Sequence, residues 1–212
     1  MCRRPFSAPE ALAFQWAVAP GLADVVTPLL TEHAALGRVL DVGCGGGIVA
    51  GRLADLGATV VGLDPSAAQL ALTRRTTASG AVCVLRGRAE QLPFTGGAFD
   101  AVVSSCAWKH WDGPERGVAE CLRVLRPGGR LCVVELDGAS TSARFGAFAS
   151  TTRLPRALRG AYVGVTMRTA VAAAPRLAEL TGVLARSGGR LIEAGALGAL
   201  PFLVGVVEKS ST

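Results

Sequence analysis

Short runs of apolar and β-branched residues recur along the chain, and most alternate with segments that have the spacing of helices. The first run, residues 39–42, precedes a glycine-rich turn and a helix predicted over 48–56 and closed by Gly57. Residues 58–64 form a second run that ends in an acid and precedes another helix, predicted to extend to about residue 78. Further strands are predicted at 81–86, 99–105, 130–135, 190–194 and 202–208. This alternation is typical of a doubly wound α/β fold.

Two mainly helical segments accompany these strands. Residues 6–36 predict two short helices with a break at Pro20 and Gly21. The second segment, residues 140–187, is predicted to form helices with breaks near Pro155, near Gly160 and around Pro175. The chain is therefore interpreted as one domain, 1–212, with a helical cap (1–36), a core (38–137), a lid-like helical insertion (138–187) and a final strand pair (188–208).

The turn after the first strand carries glycines at 43, 45, 46 and 47. Glycines let backbone and ligand approach where a Cβ would clash, and the helix start behind them leaves N–H groups free, as in nucleotide-like cofactor sites. The dinucleotide motif G-x-G-x-x-G/A is matched by Gly45, Gly47 and Ala50, whereas a second motif, D-x-G-x-G-x-G, begins at Asp41. The Asp41 carboxylate favours the second motif, because a negative charge repels a pyrophosphate and attracts a cationic ligand such as S-adenosylmethionine.

This stretch resembles the first motif of the class I S-adenosylmethionine-dependent methyltransferases. Two later stretches are similar to small-molecule members related to the ubiquinone and menaquinone biosynthetic enzymes: residues 87–103, with Leu-Pro-Phe and Phe-Asp-Ala-Val, and residues 123–129, Arg-Val-Leu-Arg-Pro-Gly-Gly. The last of these is expected to stop a helix and to form the tight entry to strand five. The resemblance covers about residues 38–135. It implies an α/β/α sandwich with a Rossmann-like seven-stranded sheet whose last strand is antiparallel, and S-adenosylmethionine as cofactor.

Asp64, at the end of the second predicted strand, is expected to accept hydrogen bonds from the ribose hydroxyls. The alternative is that it caps a helix opening with Pro65, and both can hold at once. In the family, an acid and the next backbone amide contact the adenine, but Arg88 replaces that acid here. Glu90 could substitute for it, Ala89 still offers its N–H group, and Arg88 could stack on the ring. The predicted cofactor-binding residues are Asp41, Gly43, Cys44, Gly45, Gly47, Asp64, Pro65, Arg88, Ala89, Glu90 and Ser105.

The loop after the fourth predicted strand concentrates chemical groups. Because ligands bind beyond the carboxyl ends of parallel strands, this loop is expected to lie over the sulfonium methyl. Trp108, Lys109 and Trp111, with Tyr162 of the lid-like insertion, are predicted to line the acceptor. His110 is the candidate catalytic base that takes a proton from an attacking hydroxyl or enol, and the alternative is a packed loop in which it only hydrogen-bonds a carbonyl.

Other charged residues carry weaker expectations. One of Glu135 and Asp137, at the end of strand five, is expected to face the substrate. Arg153, Arg156 and Arg159 recur every three residues and could share a helix face, for which a solvated surface is favoured over a site for an acidic substrate. His33 is interpreted as a surface or capping histidine. Cys44 is interpreted as a residue that only fills space in the glycine turn.

Composition narrows the class of protein. The net charge is +6, but the positive residues are nearly all arginines, dispersed and without interleaved aromatics, so nucleic acid is not the expected partner. Cys83, Cys106 and Cys132 lie in apolar runs and are predicted to be buried in a reducing compartment, and no Cys/His cluster has the spacing of a metal site. No leader and no membrane span is predicted, which favours the cytoplasm.

These observations predict an enzyme that transfers the methyl group of S-adenosylmethionine to a small organic acceptor at oxygen, carbon or nitrogen. The reaction is an in-line displacement driven by positioning, without a metal. The apolar composition and paired tryptophans suggest an aromatic, quinone-like or lipid-like acceptor. The alternatives are a non-catalytic S-adenosylmethionine-binding protein and an NAD(P)-dependent oxidoreductase, whereas a macromolecular methyltransferase would need a recognition domain or a basic groove.

Overall fold

The computed structural model describes residues 12, 15–33, 36–77 and 80–211. Its strands are β1 Arg38–Val42, β2 Thr59–Asp64, β3 Val82–Arg86, β4 Phe99–Ser105, β5 Leu125–Leu136, β6 Arg190–Ala196 and β7 Phe202–Glu208. Its α-helices include α1 Ala19–His33, α2 Ile48–Asp55, α3 Ala67–Thr76, α4 Pro114–Val124, α5 Ser142–Thr151, α6 Arg156–Thr166 and α7 Leu177–Ala185. A 3₁₀ turn spans Trp108–His110, and a π-helical turn, Met167–Val171, continues α6.

All seven strands form one sheet in the order β3-β2-β1-β4-β5-β7-β6. Strands β1 to β5 are parallel to one another, whereas β7 runs antiparallel to both β5 and β6. The order reverses between β1 and β4, and the carboxyl ends of these two strands meet there. The predicted seven-stranded sheet with an antiparallel last strand is confirmed.

Successive residues of the central strands pack on opposite faces of the sheet. In β4, Ala101 and Val103 contribute to a core that includes residues of α1, α2 and α5, whereas Val102 joins a core with residues of α4 and α7. Since side chains alternate along a strand, burial of both faces requires a nearly continuous apolar run, which β4 has. Helices therefore cover both faces, and the predicted three-layer α/β/α sandwich is confirmed.

Two predicted helix breaks differ from the structure. Pro20 and Gly21 lie in the first helical turn of α1, where a proline needs no N–H partner. The break in the helical segment lies instead at Val18. Gly160 continues α6 without a break, since a single glycine weakens a helix by only about 1 kcal/mol. The earlier part of the predicted cap falls largely outside the described residues.

Strand five begins earlier than its apolar run indicates. Helix α4 ends at Val124 as expected, but β5 already starts at Leu125, which pairs with Phe99 of β4. The pairing then shifts, so that Ala101 lies opposite Arg130, and Gly128 adopts a positive φ of 72° within the irregular stretch. The Arg-Pro-Gly-Gly segment is thus an irregular part of the strand, since a β-bulge can contain proline and glycine while the strand continues on either side of it.

No helix among the described residues is both long and apolar enough to cross a bilayer.

Candidate functional site

A cavity of about 1070 Å³ lies at the carboxyl ends of the central parallel strands. One side is formed by the glycine turn, the end of β2 and residues 86–90, and another by the loop after β4. Helices α5 and α6 and the π-helical turn contribute further lining residues. The predicted cofactor-binding residues on its wall are Gly43, Cys44, Gly45, Asp64, Pro65, Arg88, Ala89, Glu90 and Ser105. The sequence therefore located one side of the cavity correctly, while the roles of these residues stay predictions.

The glycine turn adopts a backbone conformation that excludes other residues. Gly43 has a φ of 80°, and a Cβ there would collide with the Cβ of Ala107. Gly47 has a φ of 79°, and a Cβ there would collide with the Thr73 side chain. Gly47 is therefore required for packing against α3 and is not part of the cavity wall.

The turn satisfies most of its own amides. Gly43 and Cys44 donate their N–H groups to the carbonyl of Leu63 at 2.7 and 3.1 Å, and Gly45 donates to Asp64 Oδ2 at 3.0 Å. The N–H groups of Gly43, Cys44 and Gly45 are therefore not free to bind a ligand. At the start of α2, by contrast, no side chain caps the helix. The consequence is a preformed turn tied to the end of β2 before any ligand binds.

Helix α3 holds the turn from the other side, which the sequence reading missed. Thr73 Oγ1 donates to the Gly45 carbonyl at 2.8 Å, and Thr76 Oγ1 donates to the Gly46 carbonyl at 2.9 Å. The Gly46 carbonyl also accepts from Gln15 Nε2 at 3.0 Å. A usable signal was the low amphipathicity of α3, whose buried polar residues include Gln69 and Thr73. Buried hydroxyls need partners, and the glycine carbonyls supply them.

Asp41 lies in the middle of the sheet. Its side chain is fully buried, it is not part of the cavity wall, and within the described structure neither carboxylate oxygen has a hydrogen-bond partner. Burial, and secondarily repulsion from Asp64, raise the pKa of Asp41 to about 7. An unpaired buried carboxyl of this kind is costly, and a nearby positive charge would favour its ionised form.

Asp64 lies on the cavity wall with both oxygens held by backbone amides. Its Oδ1 accepts from Ser66 N at 2.8 Å, and its Oδ2 accepts from Gly45 N at 3.0 Å. Burial raises the pKa of Asp64 above its ordinary value, while these hydrogen bonds oppose the shift. The proposed capping role is wrong, because α3 begins at Ala67 and Ser66 is its N-cap. Each carboxylate oxygen keeps acceptor capacity for a further donor.

The side chains expected near the adenine hold a neighbouring loop. Arg88 pairs with Asp112 at 2.5 Å, and Glu90 Oε1 accepts from the amides of Asp112 and Gly113 at 2.6 and 3.2 Å. Both side chains therefore connect the wall to the start of α4. Ala89, between them, is buried on the cavity wall.

The loop after β4 begins with a strained residue. Cys106 has a φ of 52°, which is rare for a residue other than glycine, and it lies on the cavity wall. Burial raises the pKa of the Cys106 thiol to about 12, so it is not a nucleophile at neutral pH. Such strain persists only where surrounding contacts impose the conformation.

The aromatic residues of this loop separate into two environments. Trp108 is buried and stacks on Trp111, with ring centroids 5.2 Å apart. Only Trp111 of this pair reaches the cavity wall, so the predicted lining role of Trp108 is wrong: its ring packs into the core with Val118 and Leu122. His110 is exposed and lies on the cavity wall, next to Lys109.

Neither acid at the end of β5 lines the cavity, contrary to expectation. Glu135 is fully buried and pairs with Lys109, with 3.0 Å between Oε1 and Nζ. Asp137 pairs with Arg144 of α5 at 3.1 Å. Lys109 does lie on the cavity wall, but its ammonium group contacts a carboxylate of the protein.

The lid-like insertion supplies part of the apolar wall. Tyr162 lies there as predicted, with its ring centroid 5.8 Å from that of Phe145, and burial raises the pKa of its hydroxyl to about 12. The further apolar wall residues Leu136, Phe145, Phe148 and Phe202 were not assigned to the site from sequence. Phe148 packs edge-to-face on Phe202 at 5.0 Å, and these two residues come from elements far apart in the chain.

Three other expectations were wrong. His33 is largely buried, with Nε2 3.2 Å from Glu193 Oε2 of β6. Cys83 is exposed, because β3 is an edge strand of the sheet, whereas Cys132 is buried. Arg153, Arg156 and Arg159 do not share a helix face, since α6 begins at Arg156, although Arg153 and Arg156 are exposed, in agreement with the favoured solvated surface.

Among the described residues, no group of three or more His, Cys, Asp or Glu side chains is arranged to hold a metal ion.

Comparison with known proteins finds similarity to methyltransferases. A model described as a methyltransferase domain matches residues 40–133. An uncharacterized methyltransferase of Mycobacterium tuberculosis is 44% identical over 101 residues, which cover 48% of this chain and 40% of that protein. A ubiquinone biosynthesis O-methyltransferase of Rhizobium rhizogenes is 35% identical over 127 residues, which cover 59% of this chain and 51% of that protein. The chain thus spans about half the length of the curated relatives it matches.

Among solved structures, an S-adenosylmethionine-dependent methyltransferase from Aquifex aeolicus aligns with a TM-score of 0.72 at 14% identity, covering 97% of this chain and 100% of that chain. This likeness establishes the fold. The matched domain contains the glycine turn, so residues 40–133 are similar to a methyltransferase domain, and the chain as a whole has the fold of S-adenosylmethionine-dependent methyltransferases.

Proposed function

We propose that this protein transfers the methyl group of S-adenosylmethionine to a small, largely apolar organic acceptor. The observation that carries the proposal is that two kinds of residue share the wall of one cavity. It joins acidic and polar groups around the glycine turn to aromatic residues of the lid-like insertion, with the loop after β4 also on the wall. A cavity of about 1070 Å³ lies at the upper limit of the range for small-molecule sites, which is about 300–1,000 Å³. It has room for a cofactor and an acceptor together.

The residues around the turn fit the cofactor. The buried, unpaired carboxyl of Asp41 and the carboxylate of Asp64 give this side of the cavity a negative potential, which suits a ligand with a sulfonium and an amino group. Asp64 keeps acceptor capacity for the ribose hydroxyls, and the backbone N–H group of Ala89, a buried residue of the cavity wall, is proposed to contact the adenine. When bound, S-adenosylmethionine supplies an electrophilic methyl group and leaves as a neutral thioether.

The lid-like insertion fits an uncharged acceptor. Its side chains on the cavity wall are Phe145, Phe148, Tyr162, Thr166 and Thr169 with small alanines, and none of them is charged. Arg144, which could attract an acid, is occupied by Asp137 and by two backbone carbonyls. A ring-bearing or lipid-like molecule with one nucleophilic group would bury its apolar body here. The curated relative named as an O-methyltransferase supports oxygen as the acceptor atom.

His110 is the proposed base. It is on the cavity wall and exposed, so it can pass a proton from an acceptor hydroxyl to solvent. We expect His110→Ala to lower kcat by about 10²-fold or more with little change in cofactor affinity. His33→Ala is the matched control, because His33 lies against Glu193 and not on the cavity wall.

A non-catalytic S-adenosylmethionine-binding protein would share the same cofactor side. An NAD(P)-dependent oxidoreductase is not supported, because β7 runs antiparallel in a methyltransferase sheet. The first experiment is calorimetric titration with S-adenosylmethionine, S-adenosylhomocysteine and NADH, followed by a screen of neutral phenols, quinols and fatty alcohols for release of S-adenosylhomocysteine. Binding without turnover over this panel and over charged acceptors would favour the non-catalytic alternative. Binding of NADH alone would refute the proposal.

A further inference from the structure

Among the ion pairs described above, the pair of Lys109 and Glu135 is the most buried, and the proposed chemistry leaves it unused. The side chains are 7% and 0% exposed, with 3.0 Å between Nζ and Oε1. Desolvation of two charges is expensive, so a pair in this environment is not explained by stability alone.

Glu135 also ties the loop backbone to the sheet. Its Oε2 accepts from the Lys109 amide at 3.2 Å, and its Oε1 accepts from the Leu136 amide at 2.7 Å. Lys109 Nζ in turn donates to the carbonyl of Cys106, whose own amide donates to Val134 at 2.8 Å. These contacts connect the strained Cys106 and the 3₁₀ turn to β5. His110, the next residue, therefore has a defined place on the cavity wall.

The pair also controls the charge of the wall. Lys109 lies on the wall of the same cavity as Asp64, in the loop expected over the sulfonium. An uncompensated ammonium group there would repel a cationic cofactor, and Glu135 cancels that charge over a short distance. We propose that Glu135 and Lys109 are positioning residues that fix the loop after β4 and keep its electrostatic field neutral toward the positively charged cofactor. This inference rests on the proposed function.

The test compares two ligands that differ by one charge. S-adenosylmethionine carries the sulfonium charge and S-adenosylhomocysteine does not, so the ratio of their dissociation constants reports the local field. We expect Glu135→Gln to weaken S-adenosylmethionine binding about tenfold more than S-adenosylhomocysteine binding. Lys109→Met should change the ratio in the opposite direction, and the double variant should return it to within about twofold of the wild-type ratio.

The opposite signs separate this role from a structural one, because loss of loop structure would weaken both ligands in every variant. Glu208→Gln is the control, since Glu208 pairs with Arg130 near the other end of the parallel part of β5. If Glu135→Gln does not fold by circular dichroism, the Lys109→Met and double variants still give the sign. A ratio unchanged in folded variants, or changed equally in both single variants, would overturn the inference. Failure of the wild-type protein to bind either ligand would instead refute the proposed function.

Discussion

Replacement of Asp41 by asparagine tests the electrostatics of the cofactor site most directly. The pKa of Asp41 is raised from 3.8 to about 7 by burial and by Asp64. Between these two values the folded state binds more protons than the unfolded state, so the free energy of unfolding falls as the pH rises. At 1.36 kcal/mol per pKa unit, a pKa raised by about three lowers the free energy of unfolding by roughly 4 kcal/mol between about pH 4 and pH 7.

The assay is urea unfolding of the free wild-type protein and of Asp41→Asn at intervals of half a pH unit from 4.5 to 8. Other acids titrate in both proteins, so the difference between their two curves isolates Asp41. We expect this difference to change by a few kcal/mol across the range, with the wild-type protein losing relative stability as the pH rises. Addition of saturating S-adenosylmethionine should reduce the change, because a nearby positive charge favours ionised Asp41. Parallel curves for the two proteins would refute the reasoning.

Three further substitutions test the glycine turn, the apolar wall and the exposed ion pair of Arg88 and Asp112. Gly47→Ala should cost about 1–3 kcal/mol of strain and should also weaken cofactor binding more than tenfold, because the added Cβ collides with Thr73. Gly57→Ala is the control, since Gly57 has a φ of 97° but lies in open space, so this variant should show strain alone. Equal cofactor affinities of the two variants in calorimetry would contradict this expectation. Phe148→Ala should lower the free energy of unfolding by about 3–5 kcal/mol in urea titrations, since its fully buried ring packs on Phe202; a loss below 1 kcal/mol would show that the site collapses around the gap. Arg88→Ala breaks an exposed ion pair and should change stability by less than about 1 kcal/mol. A loss of cofactor affinity above tenfold in Arg88→Ala would show that the guanidinium contacts the adenine instead.

The sequence predicted the sheet well because the signals for its strands are local. The apolar runs ending at Asp64 and Ser105 mark strands whose carboxyl ends face a common cavity, and the glycines at 43 and 47 mark a backbone that other residues cannot adopt. The least accurate boundaries were at residues 125–129, where the strand continues through a proline and two glycines.

The charged and aromatic residues were harder to interpret, since their partners lie elsewhere in the chain. One of Glu135 and Asp137 was expected to face the substrate, yet Glu135 neutralises Lys109, which lies 26 positions earlier. Trp108 and Trp111 could not be separated by spacing, because the 3₁₀ turn sends one ring into the core and leaves the other on the cavity wall. His33 lay among polar residues but became buried when α1 packed near β6.

The amino-acid sequence by itself determined the order of strands and helices, the glycine turn and the class of cofactor, because each depends on residues close together in the chain. Only the tertiary structure decided which side chains form the apolar part of the cavity wall, which acids are neutralised by ion pairs and which acids face the cavity. The physical reason is that burial and pairing of a polar group depend on the register of distant elements, here β5 against β4 and α5 against β7.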